Sequence, residues 1–118
     1  MSIAAPDPVS SALYSALDGL ALRQSVIADN IANVDTPFFR ATSVDFETSL
    51  QSAILDGSVS SGRVTPSLNP TDTPVGENGN NVDLRKETLA AMQSQFQYQM
   101  VSRAVSDRFS LITTVAAG

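Results

Sequence analysis

From Asp83 to Ala117 the chain carries neither glycine nor proline, the two residues that most readily interrupt a helix. Such a run can form one unbroken helix, and at about 1.5 Å per residue it would span roughly 50 Å. A second long helix is predicted over residues 7–34, roughly 40 Å at the same rise. A compact domain of 118 residues would have a radius of gyration of about 13 Å, hence a diameter on the order of 35 Å. Either helix exceeds that. The chain is therefore expected to be a single, mainly α domain shaped as a rod, its N- and C-terminal helices pairing as an elongated coiled-coil-like hairpin.

Local signals support these boundaries. Asp7 can cap a helix and Pro8 is tolerated at its first position. Leu13, Leu17, Leu20, Gln24, Ile27, Ile31 and Val34 then recur at spacings of four and three, a coiled-coil seam with one polar member. Pro37 ends the helix, and Asn33 is expected to supply a left-handed terminus. Residues 43–55 read as a short helix with Phe46, Leu50, Ala53 and Ile54 on one face and Ser43 or Asp45 as cap. Residues 56–81 are rich in Gly, Pro, Ser, Thr and Asn and read as a long polar loop with little to bury. A minor β-element is placed at Arg63–Thr65.

The last helix, residues 83–117, carries two apolar stripes. Leu89, Met92, Phe96 and Met100 mark one, and Tyr98, Val101, Val105, Ile112 and Val115 mark its neighbour. One hairpin partner covers one stripe, so the other calls for a neighbouring copy of the chain. Leu17, Leu20, Ile27 and Ile31 are expected to meet Phe96, Val101 and Val105, within or between subunits.

Composition excludes most alternatives. There is no cysteine and no histidine, which removes thiol chemistry, the usual zinc ligands and the best proton carrier near neutrality. No catalytic, cofactor or metal site is expected. The net charge is −5, so a phosphate-tracking basic surface and nucleic-acid binding are not supported. Met1–Pro6 has no basic residue or apolar run and does not read as a cleaved signal, and no stretch could span a bilayer. Asp45 and Glu47 are two apart, so on a helix they would not share one face for acid–base work. Gly76 to Gly79 lacks the lysine and Ser/Thr of a phosphate loop.

The segment Asn30-Ile31-Ala32-Asn33, followed by Thr36-Pro37, resembles the N-terminal signature of the flagellar rod, hook and hook-associated family. Within that family, Asp45-Phe46, the lead-in Gly79-Asn80-Asn81-Val82-Asp83 and the small size are similar to the proximal rod subunits. A FlgC-like rod subunit and another secreted helical-hairpin interaction protein are the alternatives. The resemblance implies a non-enzymatic structural protein of the basal body that transmits torque and is exported to the periplasmic rod, without a cleaved signal peptide, by the flagellar type III apparatus. The partners it implies are copies of itself, the rod proteins FlgC and FlgF, the adaptor FliE, and the MS ring and export gate. The family usually continues Thr-Pro-Gly-Tyr, where this chain has Phe38-Phe39. A change of backbone conformation is therefore expected at residue 38.

Overall fold

The computed structural model describes residues 7–62 and 64–117. Helix α1 spans Pro8–Ala32 and helix α3 spans Leu84–Ala117. Between them lie strand β1 (Thr42–Asp45), helix α2 (Glu47–Asp56), a 3₁₀ turn at Ser58–Ser61 and strand β2 (Ser67–Pro70). The two long helices pair along their length. The molecule measures 63 × 26 × 17 Å with a radius of gyration of 17.7 Å, well above the roughly 13 Å of a compact chain of this size.

Helix α1 begins where its local chemistry directs. The Asp7 carboxylate accepts a hydrogen bond from the Ser10 amide at 2.7 Å, and Pro8 occupies the first helical position. At its other end the expected left-handed asparagine is not found. Asn33 has φ −105°, and the positive φ falls at Phe38, at 64°. The expected change of conformation at residue 38 is also corrected. The bulky side chain stands in the left-handed region that glycine favours, held by a 3.0 Å bond from its amide to the Asn78 carbonyl.

The middle of the chain departs most from expectation. Residues 43–45 are strand rather than helix, because β1 pairs with β2 in an antiparallel ribbon running from Thr42 opposite Pro70 to Asp45 opposite Ser67. Helix α2 therefore starts later, at Glu47, with the Asp45 carboxylate accepting from the Thr48 amide at 3.1 Å. The β-element expected at residues 63–65 lies instead at Ser67–Pro70; Val64 and Thr65 are irregular, and Arg63 lies outside the described residues. Nor does the loop bury little: Val59, on the 3₁₀ turn, is only 2% exposed.

A small core sits beneath the β1–α2 corner. Ala16 and Leu20 of α1 meet Val44 and Phe46, with Leu22, Val26, Leu50 and Val101 around them. Gly19 makes this possible, since a Cβ there would stand 2.4 Å from the Phe46 ring. That ring also supports Arg23, whose guanidinium carbon lies 4.7 Å from its centroid.

Candidate assembly interface

The signature residues meet at one end of the hairpin, where α1 stops and α3 starts. Asn30 is 1% exposed. Its amide nitrogen donates to the Thr42 carbonyl and to Glu87 Oε1, both at 2.8 Å, and its oxygen accepts from the Thr42 amide at 3.3 Å. Asn80 donates to the carbonyls of Asn33 (2.8 Å) and Thr36 (2.7 Å), closing off the end of α1, while its oxygen accepts from the Val82 amide. Asn81 accepts from the Ala41 amide at 2.6 Å and donates to Thr71 and Thr73. Asn30 and Asn81 thus use both donor and acceptor on other segments, and Asn80 donates across to two carbonyls while its oxygen serves its own turn, which fixes geometry in a way that apolar contact does not.

The rest of the signature serves the same corner. Asn33 bonds the Asp29 carbonyl and accepts from the Thr36 hydroxyl. Thr36, Pro37 and Ala32 are exposed, and Val82 is half-buried. Gly79 has φ 80°, and a Cβ on it would lie 2.4 Å from the Phe38 ring, so two left-handed residues face each other across the two loops. Asp83 starts α3, its carboxylate accepting from the Lys86 amide and its carbonyl from the Glu87 amide.

Glu87 was not foreseen. It is 8% exposed, and burial pushes its carboxyl above the ordinary glutamate range, against the opposing pull of the Asn30 hydrogen bond and of Lys86. The remaining ion pairs tie elements together at the surface. Arg23 grips Glu47 with two bonds of 2.6 and 2.9 Å and the Val44 carbonyl with a third, and its hydrogen bonds hold the Glu47 carboxyl below its usual range. Arg108 pairs with Asp7 and Ser10, joining the end of α3 to the start of α1. The Ser10 amide and then Arg108 hold the Asp7 carboxyl low.

The seam between the helices runs through Glu87, Ser94, Val101 and Arg108, which recur every seventh residue of α3, with Ala90 and Ala91 alongside. Ser94 is fully buried, and its hydroxyl has no hydrogen-bond partner. On α1, Leu20 and Ile27 are buried while Leu13, Leu17, Ile31 and Val34 are half-buried. Val101 and Val105 are half-buried on the α1 side. The other stripe faces outward: Leu89, Met92, Phe96 and Met100 are between 56 and 65% exposed, and Ile112 is also exposed. Phe96 therefore does not meet α1 of its own chain.

No described group of three or more acidic, histidine or cysteine side chains could hold a metal ion, and no described helix is long and apolar enough to cross a membrane. The family model described as Flagella basal body rod protein matches residues 12–40, the stretch that carries Asn30 and Pro37. The chain is 34% identical to the flagellar basal body rod protein FlgB of Borreliella burgdorferi, over 84% of this chain and 88% of the relative. It is 32% identical to FlgB of Bacillus subtilis, over 90% and 91%, and 31% identical to FlgB of Escherichia coli, over 77% and 80%. The polar corner that joins the helix ends is built from residues inside these shared spans, and the chain belongs to the FlgB family of flagellar basal body rod proteins, structural subunits of the rod.

Proposed function

We propose that this chain is a proximal rod subunit that carries torque through the basal body and does no catalysis. Its place is the periplasmic rod, which it reaches through the flagellar type III apparatus without a cleaved signal. Its neighbours are copies of itself, FlgC and FlgF along the axis, and FliE with the MS ring and export gate at the base. Torque transfer calls for stiff elements joined over large contacts, and two paired helices along a 63 Å body supply the stiffness.

The observation that carries this reading is the outward stripe of Leu89, Met92, Phe96 and Met100. These side chains lie on the face of α3 turned away from α1, so their burial waits on another molecule. Each is already partly covered, so completing its burial contributes at most about 1.5–3 kcal/mol toward association. The test is a Met92→Glu/Phe96→Glu chain supplied as the sole copy in a flagellated cell. The purified variant should keep its helical circular dichroism while the cells lose rods and swimming. Normal swimming with a stable variant overturns the proposal.

A further inference from the structure

Two uncharged apolar surfaces lie at the end of the hairpin remote from the asparagines, and no described residue covers either. The first is the tip of α3. Every residue from Phe109 to Ala117 is exposed, none is charged, and Phe109, Leu111, Ile112 and Val115 are 66, 59, 49 and 73% exposed. The second is a groove of about 330 Å³ between the first turns of α1 and the corner where α2 meets the 3₁₀ turn. Val9, Ala12, Leu13, Ile54 and Val59 line it with no charged side chain among its walls, and Leu55 beside it is 80% exposed.

The tip cannot fill the groove of its own chain. Leu13 divides the two sides of α1: it borders the groove on one side, and on the other a cleft shared with Tyr14, Val105, Phe109 and Ile112. Helix α3 is continuous, is tied by Arg108 to Asp7 and Ser10, and then runs on for about 13 Å past that tie. Its direction carries it away from the groove.

We propose that the α3 tip of one copy docks into the α1–α2 groove of a second copy. The match is one of chemistry: a neutral apolar helix end enters a neutral apolar trough, so no charge loses its water on contact. Because tip and groove are different surfaces carried by every copy, the contact is heterologous and repeats from copy to copy without closing. The tip lies beyond the level of the groove on each chain, so parallel copies must be staggered along the axis. The inference rests on the rod reading above and adds the pair of surfaces that sets the stagger.

The chain has no cysteine, so engineered pairs report on this contact alone. The experiment places Ile54→Cys with Val115→Cys, and separately Ile54→Cys with Ala116→Cys, in the full-length chain as a cell's only copy, and oxidises isolated basal bodies. The expected result is a ladder of dimers, trimers and larger species from at least one pair, absent from each single substitution. Swimming cells whose basal bodies contain the chain but give no ladder overturn the inference and leave the rod reading standing. A dimer with nothing larger, a link confined within one chain, or a link to a different protein also overturns it. Absence of the unsubstituted chain from basal bodies overturns the rod reading, and the inference with it.

Discussion

Where α1 gives way to α3, the interior is polar: Asn30, Asn80, Asn81 and Glu87 are all buried and each is hydrogen-bonded to another segment. At the opposite end, Leu111, Ile112 and Val115 stand in the open while one ion pair joins the helices. This reverses the usual arrangement of apolar inside and polar outside. Directional bonds specify how the hairpin closes, and much of the apolar surface is left outward. One end is closed by polar contacts, and the other, with the stripe beside it, leaves apolar surface available for contact.

The comparison breaks most visibly at Asn30. Asn30→Ala removes three hydrogen bonds and leaves Glu87, buried, and the half-buried Thr42 amide without that partner, an expected loss of about 2–4 kcal/mol in denaturant unfolding. A loss below about 1 kcal/mol would show that the polar corner does not hold the helices together. Gly79→Ala follows, at about 1–3 kcal/mol, since alanine at φ 80° is strained and its Cβ would overlap the Phe38 ring. If Phe38→Gly is added, part of that loss should return.

Glu87→Gln sharpens the electrostatics of the same corner. Because burial raises the folded-state pKa, the neutral acid is the favoured buried form, and the protein loses stability as pH rises through that raised value from the ordinary 4.5. Asp7, Asp45, Glu47 and Asp56 are shifted downward and act in the opposite sense at lower pH. The informative quantity is therefore the stability difference between variant and parent. It should move in favour of the glutamine variant as pH rises above the ordinary glutamate value of 4.5, and a flat difference would mean that burial does not raise the Glu87 carboxyl. The smallest effects belong to the seam and the stripe. Ser94→Ala and Phe96→Ala should each shift the midpoint of thermal unfolding by the equivalent of less than about 0.5 kcal/mol, with Ser94→Ala on the stabilising side because its hydroxyl is unpartnered. A large loss from Phe96→Ala would place that ring inside the folded chain.

The long helices were legible because their signals are local: a capping aspartate with proline behind it, and leucines and isoleucines at helical spacing. The register of α3 was legible only in its middle, where Val101 and Val105 face α1 as their stripe indicated. Nearer its start the inward line is Glu87, Ser94 and flanking alanines, small or polar residues that give no hydrophobic signal, whereas the conspicuous Met92 and Phe96 point away. β1 was missed because four residues alternate too briefly to distinguish strand from helix, and its partner Ser67–Pro70 has no buried residue to betray it. Val59 was a lone valine among serines. The asparagines at 30, 80 and 81 were recognisable as a pattern, but their roles depend on loops that converge only in the folded chain.

The bond between Asn30 and Glu87 spans 57 positions of sequence. Closing a flexible loop of that length costs about 3.6 kcal/mol of chain entropy. Once that corner is set, each next rung between α1 and α3 lies one helical turn further along and encloses little additional slack. The chain entropy of joining the two helices is in this respect concentrated at the asparagine corner, and the remaining rungs toward Arg108 add little to it.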